Sequence, residues 1–243
     1  MTPSGNRQAV ILAGGRGSRL APFNTVLPKP LMPLGEFSIL EIVLRQLDQQ
    51  GFQEAVIATG YLSEIIEAFC HSLRTKLGLE IRIHREEEPQ GTIGPLRQIE
   101  GLRDDFLLMN GDLLTVLPFL EVLERRKIER TLVSVAVGER EHTIDFGVLK
   151  LDSEGSVCLY REKPKMKDWV SLGVYALSKE VLAWIPQEGR FDFPDLIQLL
   201  LDGNRKISTY PFAGYWRDIG RPEDYEAAKI DFQSNPERFL PSS

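Results

Sequence analysis

The sequence is poor in the residues that several classes of protein depend on. Its 243 residues include only two cysteines and three histidines, and no apolar run approaches the roughly 18 residues of a membrane-spanning helix. Cys70 and Cys158 are too few for a disulfide framework, and the apolar residues around each predict buried, reduced thiols. His71, His84 and His142 are scattered without the spacing of metal ligands. These absences argue against a disulfide-stabilised fold, a transmembrane helix and a histidine metal centre.

The sequence also lacks an excess of positive charge. Its 29 lysines and arginines are outnumbered by 35 aspartates and glutamates, which gives a formal net charge of -6 at pH 7. A chain of this charge has no general attraction for nucleic acid or anionic membranes, so any phosphate must be bound by local features. The N-terminal residues contain no sustained apolar segment of the kind found in signal peptides. We therefore predict a cytoplasmic protein with neither nucleic acid nor membrane as a partner.

The hydrophobic pattern predicts an α/β fold. In the first half, apolar strands alternate with amphipathic helices in the order strand 8–13, helix 38–51, strand 54–59, helix from Ser63, strand 79–84, helix 94–101 and strand 106–112. This alternation is typical of a parallel sheet covered by helices. After a helix from about Val116, the second half predicts strands near 146–151, 156–162, 169–177 and 206–210 and helices near 178–185, 193–202 and 222–233. No linker or internal repeat divides the chain, which predicts one domain.

The strongest functional signal is a glycine-rich, basic loop directly after the first strand. Gly14, Gly15 and Gly17 have no side chains, so the backbone can approach a ligand closely and present N–H groups to phosphate oxygens. Arg19 and Lys29 add positive charge, and Lys29 stands between two prolines in a stiff segment. The loop therefore predicts a triphosphate site.

Two common phosphate-binding motifs do not fit this loop. A dinucleotide-binding fingerprint needs G-x-G-x-x-G, but Ser18 and Arg19 follow Gly17 without a third glycine. A P-loop needs a lysine followed by serine or threonine, and no such pair follows the glycines. The loop must bind phosphate in another way.

A carboxylate stands at the end of the strand predicted at 106–112. Ligands of open α/β sheets collect at such strand ends, and Mg²⁺ typically takes one or two protein carboxylates together with phosphate oxygens. Asp112, in the run Asn110-Gly111-Asp112, could therefore hold a divalent cation. The same three residues would also suit a simple turn.

Residues 12–35, LAGGRGSRLAPFNTVLPKPLMPLG, resemble the L-A-G-G-x-G-[ST]-R-L-x-P…P-K-P-L signature of the nucleotide-sugar pyrophosphorylases, or sugar-1-phosphate nucleotidyltransferases. The resemblance continues through most of the chain. It implies a three-layer, Rossmann-like nucleotidyltransferase fold of the GT-A-like type with a mixed, mainly parallel central sheet. Residues 1–243 would form one domain, with a nucleotide-binding half at about 1–115 and a sugar-phosphate-binding half at about 116–243. The length implies a short form without the C-terminal β-helix domain of some members.

The resemblance also assigns roles to individual residues. Arg19 and Lys29 are implied as catalytic cations, and Asp112 and Asp218, the latter in a W-x-D-I-G segment, as ligands of Mg²⁺. Nucleotide contacts are implied for Leu12, Ala13, Gly14, Gly15, Gly17, Ser18, Glu88, Gly91, Thr92 and Gly94. Sugar-phosphate contacts are implied for Gly147, for Glu162 and Lys163 of an E-K-P segment, and for Ser171, which replaces the family's usual asparagine.

The implied reaction joins a nucleoside triphosphate to a sugar 1-phosphate and releases pyrophosphate. The attacking phosphate is already an anion, so catalysis reduces to positioning two polyanions and neutralising charge on the transferred group. The loop EEEPQGTIGPL at 86–96 resembles the base-reading segment of the family. An ionised glutamate there suits the N1–H and N2–H₂ edge of guanine. We therefore favour GTP and a mannose-, heptose- or hexosamine-type sugar phosphate, with UTP, dTTP and CTP left open.

Two functions of other classes also fit parts of the sequence. A catalytically silent nucleotide-sugar sensor or regulatory subunit could keep the fold, but it would be expected to lack at least one of Arg19, Lys29, Asp112, Lys163 and Asp218, which are all present. A glycosyltransferase with a similar nucleotide-binding half would need D-x-D at the strand end. We expect a monomer or homodimer whose partners are a nucleoside triphosphate and a sugar 1-phosphate.

Overall fold

The computed structural model describes residues 7–15, 17 and 26–240. In chain order the elements are β1 (Gln8–Ala13), β2 (Pro33–Leu34), β3 (Phe37–Ser38), α1 (Ile39–Gln49), β4 (Glu54–Thr59), α2 (Ser63–Leu73), β5 (Glu80–Arg85), β6 (Asp105–Asn110), β7 (Leu113–Thr115), α3 (Phe119–Glu129), β8 (Val133–Thr143), β9 (Val148–Leu151), β10 (Val157–Arg161), β11 (Lys165–Ser178), α4 (Phe193–Asp202), β12 (Ser208–Pro211), β13 (Trp216–Asp218) and α5 (Pro222–Ser234). Short 3₁₀ turns occupy Lys29–Leu31, Gly94–Arg97, Lys179–Trp184 and Pro236–Arg238.

A seven-stranded sheet forms the centre of the molecule, in the order β12-β8-β11-β6-β1-β4-β5. The neighbours β6, β1, β4 and β5 are parallel, and β12 is parallel to β8. β11 runs antiparallel to both β6 and β8. All six residues of β4 are buried, as expected for a parallel strand covered on both faces. The predicted α/β fold with a mixed, mainly parallel sheet is confirmed.

Helices cover both faces of the sheet and make three layers. Because side chains alternate along a strand, Ala9 and Ile11 of β1 face the core beneath α1, α2 and α3, whereas Val10 faces the core beneath α4. A third cluster packs α5 against the start of α1 through Ile39, Ile42 and other apolar residues. None of the described helices is both long enough and apolar enough to cross a membrane.

The first helix shows how local sequence determines an element. The Ser38 side-chain oxygen accepts a hydrogen bond from the Glu41 backbone N–H at 3.1 Å, which caps the start of α1. The Glu41 carboxylate accepts from Arg45 at 3.0 and 2.7 Å. The chain leaves the helix at Gly51, whose φ of +75° suits glycine. The helix begins and ends as its sequence predicts.

Several elements differ from the sequence predictions. The helix expected over 94–101 is only the 3₁₀ turn Gly94–Arg97, in which the Leu96 and Gln98 N–H groups donate three residues back, to Ile93 and Pro95. Gly101, at the expected end of the helix, adopts a φ of +69°, a conformation that favours glycine and does not continue a helix. The helix expected from Val116 begins at Phe119, after Pro118. The strands β7, β8 and β13 were not predicted, although residues 133–137 are a β-branched run typical of a buried strand.

The two cysteines lie in different environments. Both are free thiols, as expected, and Cys70 is buried in the core beneath α2, where burial raises its pKa to about 12. Cys158 is exposed on β10, and its thiol donates to the Lys150 carbonyl at 3.2 Å. The prediction that Cys158 is buried was wrong, because its apolar neighbours lie on a strand with little of the protein core against it.

The strands β9 and β10 pair with each other and form an exposed two-stranded ribbon. Most of their residues are exposed. The exposed residues include the apolar Leu149 and the aromatic Tyr160, and Tyr160 is 60% exposed. The ribbon carries the chain from the end of β8 to the start of β11. It therefore holds the segment in which the sugar-phosphate residues are predicted.

The turn after β6 fits tightly against the end of β1. The Gly111 backbone N–H donates to the Leu12 carbonyl at 2.9 Å. A Cβ atom on Gly111 would lie 2.8 Å from that oxygen and 3.2 Å from the Ile11 side chain. A residue without a side chain therefore lets the end of β6 approach the loop that follows β1.

We expect Gly111→Ala to lower the free energy of unfolding by about 1–3 kcal/mol, because the added methyl must displace backbone atoms. Gly15→Ala is the matched control, since a Cβ there meets no atom of the described residues within 4 Å. Its stability should stay within about 0.5 kcal/mol of the wild type. Urea denaturation followed by tryptophan fluorescence measures both, and equal stabilities would contradict the tight contact.

Candidate active site

A cleft of about 1110 Å³ opens at the carboxyl ends of four parallel strands. Its walls come from the residues that directly follow β1, β4, β5 and β6, and from the segment before α4. This is the sheet edge at which open α/β sheets bind ligands. The predicted nucleotide-binding residues that line the cleft are Leu12, Ala13, Gly14, Gly15, Gly17, Gly91 and Thr92. Ser18 and Arg19 lie outside the described residues, so their assigned roles stay predictions.

Lys29 lies between two carboxylates at the cleft. It sits in the 3₁₀ turn Lys29–Leu31 directly after Pro28, and its side chain is only 12% exposed. Its ammonium forms a short ion pair with the Asp112 carboxylate, and Nζ lies 3.9 Å from Asp218 Oδ1. Three segments of the chain that are far apart in sequence therefore meet at one cation.

Strand pairing explains why the two carboxylates converge. β13 runs antiparallel to β7, with Asp218 opposite Leu113. The Ile219 backbone N–H donates to the Asp112 carbonyl at 3.0 Å. The end of β13 is thereby held against the residue that follows β6. Asp112 and Asp218 therefore lie close together, and their role as ligands of Mg²⁺ stays a prediction.

The oxygens at this point fit a hard divalent cation. Asp112 Oδ2 contacts Lys29, whereas Oδ1 is buried and has no hydrogen-bond partner among the described residues. A buried carboxylate oxygen without a donor is costly unless a cation or water satisfies it. Carboxylate oxygens are the ligands that Mg²⁺ prefers, with substrate phosphates completing its coordination. In the described part of the chain no cluster of three or more metal-ligating side chains occurs, so protein ligands alone would not complete a coordination shell.

Glu86 approaches the glycine loop from the end of β5. A Cβ atom on Gly14 would lie 2.8 Å from Glu86 Oε1, so glycine leaves room for this carboxylate. The other oxygen accepts from the Gln90 backbone N–H at 3.3 Å. Burial raises the pKa of Glu86 above its ordinary value, against the opposing effect of that hydrogen bond. Glu86 is therefore a partly buried carboxyl group that faces the cleft.

The acidic loop is placed differently from the sequence interpretation. Glu88 is exposed and does not line the cleft, whereas Glu86 and Glu87 do. β5 ends at Arg85, so Glu86 is the first residue beyond the strand and lies at the edge of the sheet, beside the cleft. Gly94 lies behind the loop, and its backbone N–H donates to the Phe191 carbonyl at 3.1 Å. The loop's shape is determined by contacts that the sequence does not reveal.

Three of the predicted sugar-phosphate residues lie on the ribbon and do not line the cleft. Glu162 accepts a short hydrogen bond from the Tyr160 hydroxyl. A Cβ on Gly147 would lie only 2.5 Å from that hydroxyl, so Gly147 lets Tyr160 cross the ribbon. Lys163 adopts a φ of +40°, which is uncommon for a residue with a side chain. The structure therefore brings Gly147 and Glu162 together at Tyr160.

Ser171 lies nearer to the cleft, at an irregularity in β11. The register of β11 against β8 shifts between Ser171 and Tyr175, and the Ser171 hydroxyl donates to the Tyr175 hydroxyl at 3.0 Å. Gly173 within this bulge has a φ of +70°, and a Cβ there would lie 2.7 Å from Asn110 Nδ2. The bulge therefore brings β11 beside Asn110, two residues before Asp112.

Several cleft residues escaped the sequence interpretation, and Arg190 and Asp192 are the two that come from furthest along the chain. Arg190 and Asp192 line the cleft from the segment before α4, about a hundred residues after the acidic loop. The only sequence signal nearby is structural: Asp192 and Asp195 form a capping box at the start of α4. A helix cap does not indicate which residues it faces across the fold.

Comparison with known proteins gives consistent matches. Residues 8–235 match the family model described as nucleotidyl transferase. The chain is 33% identical over 232 residues to the mannose-1-phosphate guanylyltransferase of Mycobacterium tuberculosis, a match that covers 92% of this chain and 64% of that protein. It is 28% identical over 223 residues to the D-glycero-alpha-D-manno-heptose 1-phosphate guanylyltransferase of Campylobacter jejuni, covering 90% and 96%. The chain thus spans less than two thirds of the length of the mannose-type relative.

The fold is similar to that of a solved guanine-nucleotide complex. The crystal structure of HddC from Yersinia pseudotuberculosis superposes with a TM-score of 0.71 at 26% identity, covering 93% of this chain and 99% of that chain. The structure of HddC complexed with GMP-PN superposes with a TM-score of 0.72 at 25% identity. Because the family match spans both the sheet and the cleft at its edge, the chain belongs to the nucleotidyl transferase family.

Proposed function

We propose that the protein is a sugar-1-phosphate guanylyltransferase, which joins GTP to a mannose- or heptose-type 1-phosphate and releases pyrophosphate. The observation that carries the proposal is the Lys29 cluster beside the glycine loop, where one cation lies between Asp112 and Asp218. The names of the mannose- and heptose-1-phosphate guanylyltransferase relatives support the sugar class, and the HddC complex with GMP-PN supports a guanine nucleotide.

The proposed chemistry depends on charge neutralisation. The backbone of Gly14, Gly15 and Gly17 binds triphosphate oxygens, and Lys29 stabilises negative charge on the transferred phosphoryl group, with Arg19 as a second cation. Asp112 and Asp218 orient the Lys29 ammonium and would hold Mg²⁺. When bound, that ion neutralises charge on the phosphate oxygens. The sugar phosphate attacks as an anion, so no residue needs to remove a proton.

The second half of the domain is proposed to bind the sugar phosphate. Lys163 binds the phosphate and Glu162 binds sugar hydroxyls, with Gly147 beside them. Ser171 contributes one hydroxyl where asparagine would offer both a carbonyl and an amide. The bulge of β11 supports this arrangement, because it connects the ribbon to the strand end that carries Asp112. The division between the two halves is proposed at about residue 115.

The test is pyrophosphate release by the purified chain with Mg²⁺, across a grid of triphosphates and sugar 1-phosphates. The triphosphates are GTP, UTP, dTTP, CTP and ATP, and the sugars are mannose, glucose, glucosamine, N-acetylglucosamine and heptose 1-phosphates. Release that needs both GTP and a mannose- or heptose-type phosphate is the expected result. Pyrophosphate release with a different triphosphate would assign that nucleotide as the substrate in place of GTP. Nucleotide binding without release would instead indicate a sensor.

We expect Lys29→Ala to lower kcat by about 10²–10³, the usual cost of losing one preorganised charge donor to a transition state. Lys76→Ala is the control, because Lys76 is an exposed lysine outside the cleft. Steady-state rates at saturating substrates measure the effect. A kcat within a factor of two of the wild type would remove Lys29 from the catalytic role.

Glu86, rather than Glu88, is proposed to accept from the N1–H and N2–H₂ groups of guanine. A protonated Glu86 loses this capacity, so the KM for GTP should rise as the pH falls towards its raised pKa. Glu86→Gln should lower kcat/KM for GTP about 5- to 150-fold, equivalent to about 1–3 kcal/mol, and flatten the pH dependence.

The comparison variant for this prediction is Glu88→Gln, which changes the neighbouring exposed glutamate. It is expected to keep the wild-type KM for GTP and its pH profile. The reverse pattern, with the effect in Glu88→Gln alone, would assign the base contact to Glu88.

A further inference from the structure

We infer that Arg190 determines base specificity by donating hydrogen bonds to the O6 and N7 acceptors of guanine, and that Asp192 positions it. Arg190 lines the cleft from the segment before α4, and Glu86 lines the same cleft from the end of β5. The inference deepens the proposed function and rests on GTP being the nucleotide.

The first step is that the segment at 190–193 and the loop at 90–94 form one wall. The Phe191 N–H donates to the Gln90 carbonyl at 2.8 Å, and the Phe191 carbonyl accepts from the Ile93 and Gly94 N–H groups, each at 3.1 Å. A Cβ on Gly91 would lie 2.5 Å from that carbonyl. This close approach requires glycine and leaves the two segments little freedom to separate.

The second step is that the Asp192 carboxylate connects the wall to Arg190. Oδ1 accepts from the Thr92 backbone N–H, and Oδ2 accepts from Arg190 Nε, both at 2.9 Å. The Phe193 N–H donates to the Thr92 hydroxyl at 2.7 Å. Burial raises the pKa of Asp192, but the hydrogen bonds from Arg190 and Thr92 outweigh it and leave the pKa below its ordinary value. Asp192 is therefore a fixed, ionised anchor for the guanidinium.

The third step is that Arg190 keeps donors for a ligand. Its side chain is 72% exposed, and only Nε is engaged within the described part of the chain. Arg97, next to the same loop, instead donates to the Gly94 and Gly189 carbonyls and to the Gln90 side chain. The Arg97 guanidinium is therefore used in holding the loop, whereas the two terminal amino groups of Arg190 are available to a ligand in the cleft.

The fourth step is chemical complementarity. A guanidinium offers a planar fork of donors, which pairs with O6 and N7 of guanine. A carboxylate at Glu86 accepts from the N1–H and N2–H₂ groups on another edge of the same base. Adenine presents an amino donor at position 6, and pyrimidines have no N7. An acceptor at Glu86 and a donor fork at Arg190, which line the same cleft, would together select guanine over the other bases.

The experiment compares GTP with 7-deaza-GTP, in which a C–H group replaces the N7 acceptor. Affinity is measured by calorimetry without sugar phosphate, and kcat/KM with it. We expect the wild type to prefer GTP by about 5-fold or more, the effect of one base hydrogen bond. Arg190→Ala should raise the KM for GTP and bring the preference close to 1, with the KM for the sugar phosphate unchanged.

Three further variants separate positioning from folding. Asp192→Asn keeps an oxygen for the Thr92 N–H but removes the charge that holds Arg190, so the preference for GTP should fall to an intermediate value. Arg125→Ala is the control, because Arg125 forms a surface ion pair with Glu129 at 3.0 Å on α3. It should keep the wild-type preference. Arg190→Met, which keeps much of the side-chain volume but has no donor for guanine, serves the same purpose as Arg190→Ala if the alanine variant has a lowered melting temperature.

The outcomes distinguish the two proposals. A wild type that uses GTP but treats 7-deaza-GTP equally would overturn the base contact and leave the proposed function standing. An Arg190→Ala variant that binds both nucleotides more weakly but keeps the wild-type preference would also overturn it and assign Arg190 to the phosphates. A protein that neither binds nor uses GTP would overturn both proposals.

Discussion

The contact of Lys29 with Asp112 and Asp218 is the interaction on which the rest of the site depends. Lys29 is nearly buried and Asp112 is 22% exposed, so each charge would be costly without the other. The contact joins the turn after the glycine loop, the end of β6 and the end of β13. It therefore holds the proposed phosphate-binding and metal-binding residues of the cleft at one point, where the proposed reaction of two polyanionic substrates needs positive charge.

Close backbone contacts make this assembly possible. Gly111 lets the end of β6 meet β1, Gly14 makes room for Glu86, and Gly173 lets the bulge of β11 approach Asn110. In each case a Cβ atom would lie within 2.8 Å of a neighbouring atom. These glycines thus let the elements around the cleft pack together.

The nucleotide side and the sugar-phosphate side of the proposed site differ in how firmly the surrounding fold holds them. The nucleotide side is built on buried parallel strands and on the hydrogen-bonded wall that joins Phe191 to Gly94. The sugar-phosphate side depends on an exposed ribbon, in which Glu162 and Tyr160 contact each other outside the main core. A two-stranded ribbon has little stability of its own, so its position relative to the cleft depends on the strands β8 and β11 that lead to it.

The sequence by itself determined the elements whose signals are local: the strand at 8–13, the capped helix after Ser38, the glycine loop and the strand end at Asp112. Hydrophobic periodicity, helix capping and glycine content are properties of short segments, so they can be recognised directly in the sequence. Tertiary structure alone decided the rest. It placed Glu86 rather than Glu88 in the cleft and brought Arg190 and Asp192 to it, because strand register and packing between distant segments are not encoded in any short stretch of sequence.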